Sequence, residues 1–165
     1  DLILDFVNSP LSAVRANGAG ILTPTLDIAN ARLEFACGTV ANVTSSRVSL
    51  KQERRLRFFQ KDAYISLDLI AKRGSVVQRS EAAENLLRQK LRSDEAVKPE
   101  ELVETQSLEP APEAKDALAL ELEAWVDAVL SNTKPVVDGQ AGLRAMRAAA
   151  LITDAINQQP NIKYG

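Results

Sequence analysis

Histidine is absent from the 165 residues of this chain. Imidazole is a common ligand of zinc and iron and the usual acid–base group near neutral pH, so its absence argues against such sites here. Carboxylates remain as ligands for magnesium or calcium, but no acidic loop has the spacing that these ions need. We therefore expect no metal site, and if the protein is an enzyme, its main catalytic groups are expected to lie outside these residues.

Cysteine and long apolar runs are also scarce. The single cysteine, Cys37, excludes a disulfide within the chain and fits a reducing compartment. No apolar run approaches the roughly 18 residues that a membrane span needs. The net charge of −2 argues against a partner such as DNA that is held by charge over the whole surface. The composition predicts one globular domain in the cytoplasm that binds neither membrane nor nucleic acid.

Strand patterns dominate the first half of the chain. Ala29, Ala31, Leu33 and Phe35 alternate with polar residues, which is typical of a half-buried strand. Together with the turn at Cys37-Gly38, this pattern predicts a β-hairpin over residues 28–48. A second hairpin is predicted around Lys61-Asp62, because apolar residues alternate on both sides of that turn.

Helix patterns dominate the second half. Leu118, Leu122, Trp125 and Val129 recur at helical spacing, and we expect this stripe, including Trp125, to lie in the core. Asp138 is a suitable N-cap for a second, alanine-rich helix. Strands followed by helices predict an α+β fold: an open, mostly antiparallel β-sheet with helices packed on one face.

Two glycines at Gly18–Thr23, in "GAGILT", form part of a dinucleotide-binding pattern. The third glycine of that pattern is missing, and the stretch lies within a predicted strand instead of at a strand-to-helix turn. We favour small residues in a closely packed strand. "NVT" at Asn42–Thr44 fits a glycosylation site but lies mid-strand, so we interpret it as chance.

Basic residues are concentrated between Arg47 and Lys61, beside Phe58 and Phe59. Such a surface can stack single-stranded RNA, although the spacing of the known RNA-binding strand motif is absent. The favoured interpretation is a strand pair with a charged side that faces solvent or another subunit. Lys61, Asp62 and Tyr64 bring an amine, a carboxylate and a phenol together, but these are common turn residues and we favour a turn over catalysis.

Three stretches together resemble a known family. They are "DIANARLEFACGTVANVTSSRVS", "ERRLRFFQKDAYISLDL" and "KPVVDGQAGLRAMRAAALITDAI", the last with a Pro-x-x-x-Gly-x-x-Gly-Leu pattern before its helix. In this order and spacing they resemble the C-terminal domain of the Gfo/Idh/MocA family of NAD(P)-dependent oxidoreductases. The first hairpin is most similar to bacterial members that oxidise the 3-hydroxyl of UDP-N-acetylglucosamine.

The resemblance implies a role for the whole chain. Residues 1–165 would form the C-terminal substrate-binding and oligomerisation domain, and the opening "DLILDFV" would continue a helix that begins upstream. The N-terminal Rossmann domain of the family, which binds NAD or NADP, would be absent from this chain. The chain alone would then bind no cofactor and have no activity. In the full-length protein it would form the substrate side of the cleft and associate with a second copy through its β-sheet face.

Two substrate-binding residues follow from the resemblance. Asp1 matches the last acidic residue of the family's catalytic motif and would lie near the cleft. Arg47 ends the returning strand of the first hairpin, where a guanidinium can reach a sugar hydroxyl pair, a carboxylate or a diphosphate. The alternative for Arg47 is an ion pair with an acidic neighbour on the sheet surface.

Two other functions stay open on the residues alone. The chain can be a stand-alone α+β module that dimerises through its sheet without enzymatic activity. It can also be a nucleic-acid binder that uses the basic hairpin, which we consider the weaker alternative.

Overall fold

The computed structural model describes residues 1–93, 98–111 and 115–159. Residues 94–97, 112–114 and 160–165 belong to the expected domain of 165 residues but lie outside the described residues. The chain forms two compact units, one from Asp1–Leu50 with Asp116–Gly165 and one from Lys51–Lys115. The elements follow in the order α1 (Leu2–Val7), β1 (Leu11–Ala19), β2 (Ile28–Phe35), β3 (Val40–Ser46), β4 (Arg55–Phe59), β5 (Ala63–Asp68), β6 (Arg73–Arg79), α2 (Ala83–Ser93), a 3₁₀ turn (Pro99–Glu101), β7 (Val103–Leu108), α3 (Ala117–Leu130) and α4 (Gly139–Asn157).

The first unit contains a three-stranded antiparallel sheet in the order β1-β2-β3. Side chains alternate between its faces, so Ala31, Leu33 and Phe35 of β2 point to the same side and are buried. Gly38 supplies the positive φ of 86° that the turn between β2 and β3 requires. The predicted first hairpin is confirmed by this pairing.

Helices cover the apolar face of this sheet. α4 packs against β1, and Ile156 of α4 joins the buried cluster around Phe35. Ile3, Leu4 and Val7 of α1 pack against the same cluster. The N-cap that the sequence predicts at Asp138 is confirmed, because its carboxylate accepts a hydrogen bond from the Ala141 amide at 2.8 Å.

The second unit is a four-stranded antiparallel meander, β4-β5-β6-β7. Its first two strands form the second predicted hairpin, in which Phe58 pairs with Ile65 and Phe59 with Tyr64. The rings of Phe59 and Tyr64 lie 5.0 Å apart. α2 belongs to this unit by chain position, and the sequence analysis assigned neither α2 nor β6.

The α+β prediction is confirmed, with the strands divided between two sheets where the sequence indicated one. The helix predicted over the Leu118 stripe is present as α3, but the core position predicted for Trp125 is wrong. Trp125 is 58% exposed, because the apolar stripe of α3 turns to solvent instead of to the sheet. Over the described part of the chain, no helix has both the length and the hydropathy to cross a membrane.

Candidate functional site

Arg47 and Asp1, the two residues predicted to bind substrate, occupy separate places in the first unit. Arg47 directly follows β3, beside the end of β1 and the start of β2. Asp1 is the N-cap residue of α1, where its carbonyl oxygen accepts hydrogen bonds from the Leu4 and Asp5 amides. Within the described residues, no hydrogen bond or ion pair joins the two. The contacts of interest therefore gather around Arg47 alone.

A buried carboxylate organises the loop beside Arg47. The side chain of Asp27 is only 2% exposed, yet it is charged. Its Oδ2 accepts hydrogen bonds from three successive backbone amides, those of Ile21, Leu22 and Thr23, at 2.7–2.9 Å. A buried carboxylate is tolerated only when its oxygens are satisfied in this way, so Asp27 fixes the conformation of the loop between β1 and β2.

The guanidinium of Arg47 completes this arrangement. Its Nη2 donates to Oδ1 of Asp27 at 2.8 Å, to Oγ1 of Thr25 at 2.9 Å and to the carbonyl of Leu26 at 2.9 Å. Thr23 Oγ1 lies 3.2 Å from the same nitrogen and donates to Asp27 Oδ1 at 3.0 Å. Charge-assisted hydrogen bonds of this kind are the stronger ones, so Arg47 locks the loop from the solvent side.

We call this cluster the Asp27 clasp: Asp27, Arg47, Thr23, Thr25 and the amides of residues 21–23. It also joins the strands through the backbone. The Asp27 amide donates to the carbonyl of Ala19 at 2.9 Å, and the Arg47 amide donates to the carbonyl of Asp27 at 2.8 Å. The clasp thus connects the end of β1, the start of β2 and the end of β3.

Two glycines allow the chain to close around the clasp. A Cβ atom on Gly20 would lie 2.5 Å from the carbonyl oxygen of Thr23 and 2.6 Å from that of Thr25, closer than side chains approach backbone. A Cβ atom on Gly18 would lie 3.0 Å from the carbonyl of Ile28 and 3.2 Å from Ile156. The interpretation of "GAGILT" as small residues in close packing is therefore confirmed for Gly18 within β1 and extends to the loop at Gly20.

The amides of residues 21–23 point to one place, as amides do in a phosphate-binding loop, but they already donate to Asp27. Successive amides that point to one spot form an anion site, and here the anion is the carboxylate of Asp27. Every sheet contact in the described residues is antiparallel, so they contain no strand–turn–helix unit of the dinucleotide-binding kind.

The guanidinium of Arg47 has donor groups that can still bind a ligand. Its side chain is 60% exposed, and all of its hydrogen bonds within the described residues come from Nη2 and from the backbone amide. Nε and Nη1 lie on different edges of the guanidinium, and each can donate to a carboxylate, a phosphate or a hydroxyl. Since Asp27 and two threonines hold Nη2, the orientation of these two donors is fixed.

Sequence reasoning named Arg47 but missed Asp27. The acidic neighbour considered as the alternative partner of Arg47 is present, but it is buried and not on the sheet surface. Two features of the sequence could have indicated Asp27: the glycines at 18 and 20, which are typical of a tight loop, and the position of an acidic residue directly before an apolar strand. Only the structure shows that the two belong together.

The other candidates take ordinary structural places. Lys61 and Asp62 lie in the turn between β4 and β5, and Asn42–Thr44 lies within β3, as predicted. The basic stretch is partly neutralised, since Arg55 lies 3.4 Å from Asp68 and Lys51 lies 2.9 Å from Glu53. Among the residues that the structure describes, no group of three or more Cys, Asp or Glu side chains is placed to hold a metal ion.

The only cysteine lies far along the hairpin from Arg47, in the turn after β2. Cys37 is exposed, and its Sγ is 3.3 Å from Oγ1 of Thr39. Hydrogen bonding from Thr39 and then from Ser9 lowers the pKa of this thiol to about 7. A substantial share of Cys37 is therefore thiolate at neutral pH.

Hydrogen bonds from the Thr23, Leu22 and Ile21 amides hold the pKa of Asp27 well below its ordinary value of 3.8. Such a group contributes stability above pH 3.8, and this contribution is lost as the pH falls toward the folded-state pKa. Asp27→Asn should therefore destabilise the chain at neutral pH and flatten the decline of its stability below about pH 4. Urea unfolding between pH 2.5 and 7 measures both effects.

Asn42→Ala is the control for this experiment, because it removes a polar group of the same sheet but no titratable one. It should lower the free energy of unfolding slightly, and by the same amount at every pH. If stability below about pH 4 declines as steeply in Asp27→Asn as in the parent, that decline does not come from the Asp27 clasp.

The comparisons with known proteins agree with this fold. No family model matches the chain. The chain is 31% identical over 156 residues to UDP-N-acetylglucosamine 3-dehydrogenase of Acidithiobacillus ferrooxidans, covering 94% of this chain and 45% of that protein. A crystal structure of that dehydrogenase superposes with a TM-score of 0.76 over 94% of this chain and 43% of its own length, at 28% identity.

A more distant structure shows the same fold. The aldose-aldose oxidoreductase of Caulobacter crescentus has a TM-score of 0.68 at 18% identity, over 94% of this chain and 42% of its own. The chain spans less than half the length of each of these relatives. The resemblance carried by the three sequence stretches is confirmed: the chain is similar in sequence to this dehydrogenase and has the fold found in Gfo/Idh/MocA oxidoreductases, which is consistent with a C-terminal domain of that kind.

Proposed function

We propose that this chain is the C-terminal part of an NAD(P)-dependent oxidoreductase that oxidises a hydroxyl of a sugar or nucleotide sugar. The observation that carries the proposal is the 31% identity over 156 residues to a UDP-N-acetylglucosamine 3-dehydrogenase. The TM-score of 0.76 against the same enzyme supports it. Within this protein, residues 1–165 would serve as the substrate-binding and oligomerisation domain, in the cytoplasm.

The chemistry divides between the parts of such a protein. NAD or NADP accepts a hydride when bound, and we place its site mainly outside this chain, as the family resemblance implies. The catalytic base would also lie upstream of Asp1. This chain would hold the sugar in position and exclude water, which lowers the entropic cost of reaching the reactive geometry.

Arg47 is the residue of this chain that we assign to substrate. Its Nε and Nη1 donors suit the diphosphate of a nucleotide sugar, because hydrogen bonds from a guanidinium to phosphate oxygens are charge-assisted. The Asp27 clasp would keep these donors in place between turnovers. Asp1 would lie at the margin of the same cleft, as the family resemblance implies.

An assay of the protein encoded by the complete reading frame tests the proposal. The purified protein is mixed with UDP-N-acetylglucosamine and either NAD⁺ or NADP⁺, and reduced cofactor is followed by its absorbance. We expect formation of reduced cofactor, with UDP-N-acetylglucosamine ahead of free N-acetylglucosamine, since the diphosphate adds binding energy. No turnover of any sugar or nucleotide sugar with either cofactor would contradict the proposed function.

Arg47→Ala in that full-length protein should lower kcat/KM for a nucleotide sugar by on the order of 1–3 kcal/mol of transition-state stabilisation. Arg88→Ala is the control, since Arg88 is an exposed arginine of α2 that pairs with Glu84 at 2.6 Å and lies outside the first sheet. Asp27→Asn separates positioning from contact, because it loosens Arg47 without removing it. Equal kinetics for parent and Arg47→Ala would remove Arg47 from the site.

The outer face of the first sheet is the surface that we propose for association with a second copy. It is polar: Glu34 lies 2.6 Å from Arg15 and 3.3 Å from Arg32, and Thr44 donates to Asn30 at 2.8 Å. A standard interface buries roughly 1,600 Å² in total, and a polar sheet face can supply such an area.

Sedimentation velocity of the full-length protein should therefore show an oligomer at micromolar concentration. Glu34→Lys should weaken it, because three positive charges would then lie together on the face. Glu84→Lys, on exposed α2, is the control for the charge change and should leave the oligomer intact. A monomer at every concentration would count against this role of the sheet.

A further inference from the structure

One side of α3 is apolar and faces solvent. Leu118, Leu122, Trp125 and Val129 recur at i, i+4, i+7 and i+11 and therefore form one stripe along the helix. All four side chains are between 54% and 60% exposed. Val126 and Leu130 extend the stripe on one side, at 42% and 80% exposure. We call these six residues the α3 face.

The helix has the pattern of one that packs against something. Asp127 lies opposite the stripe and Glu121 and Glu123 lie on its flanks, while Leu120, beside Asp127, is also 51% exposed. In globular proteins the apolar stripe of such a helix faces a core. Here only Ala128 of α3 is buried, and the six large side chains have no cover within the described part of the chain. A continuous exposed patch of six large apolar side chains is typical of a contact surface.

The length of the relatives indicates what covers this face. The chain accounts for 45% of the dehydrogenase that it matches in sequence and 43% of the crystal chain that it matches in fold. We infer that the α3 face binds the remaining part of such a polypeptide, the cofactor-binding part that the proposed function requires. The inference rests on that proposed function and adds the residues through which the two parts meet.

The character of the face suits a permanent contact. Interfaces that never separate resemble a domain core cut in half and have few charged residues at their centre. The α3 face has no charged residue among its six members and carries a tryptophan, the residue type most enriched at the centre of strong contacts. The polar, ion-paired outer face of the first sheet is the better surface for a second copy.

Trp125 provides the probe, because it is the single tryptophan of this chain. Hydroxyl-radical footprinting, read by mass spectrometry, measures its oxidation rate in the full-length protein and in the same protein unfolded in denaturant. The rate in the folded protein should be many-fold lower than in the unfolded one, and should not change with protein concentration. A tryptophan that stays half exposed would instead differ little between the two.

Two valine variants test the face itself. Val129→Ser places a hydroxyl in the α3 face and should raise the oxidation rate of Trp125 several-fold. Val136→Ser makes the same chemical change at a position that is 90% exposed and lies beyond α3, so it should leave the rate unchanged. A rise in Val129→Ser alone supports the inference, and equal rates in both variants contradict it.

The remaining outcomes also decide the matter. Trp125 that remains exposed in the full-length protein overturns the inference. Protection that grows with protein concentration assigns the face to a second copy and overturns it as well. Nucleotide-sugar oxidation is assayed in the same preparation, so that an active protein with an exposed Trp125 refutes this contact alone. An inactive protein with a protected Trp125 refutes the function and not the contact.

Discussion

A single buried charge holds the first unit in its shape. Asp27 accepts hydrogen bonds from three loop amides, the Thr23 hydroxyl and the guanidinium of Arg47. Without a negative charge at this point, the amides of residues 21–23 would face each other without an acceptor, which is costly in a protected site. The three strand ends that meet here therefore depend on one carboxylate. Any ligand role of Arg47 depends on it too, because the same contact aims the guanidinium.

The surfaces of the first unit divide by polarity. The inner face of its sheet is closed by α4 and α1 around Leu33 and Phe35. Its outer face carries Arg15, Arg32 and Glu34 in ion pairs. α3 presents a third, apolar surface that nothing in the described chain covers. Three surfaces of different character suit a domain that has its own core, meets a second copy and contacts another part of its own polypeptide.

Local patterns in the sequence predicted those features of the fold that depend on residues close together along the chain. The alternation from Ala29 to Phe35 gave the strand and its buried face, because side chains in a strand alternate strictly. Asp138 was predicted as an N-cap because capping depends on residues three positions away. Trp125 was misplaced because periodicity tells which side of a helix is apolar, not what covers it. Asp27 was missed because its partners lie in a loop and on a strand end twenty residues away, a pairing that tertiary structure alone creates.

The order of the two units along the chain affects how the protein is made. The second unit is one continuous stretch, while the first is assembled from two stretches that flank it. During synthesis the strands of the first sheet leave the ribosome before the second unit, whereas α4, which closes their apolar face, follows that unit. The second unit can complete its meander in the meantime, since domains fold as units while the chain grows. The first unit thus starts before the second and is completed after it, and its apolar sheet face stays uncovered in the nascent chain until α4 has been made.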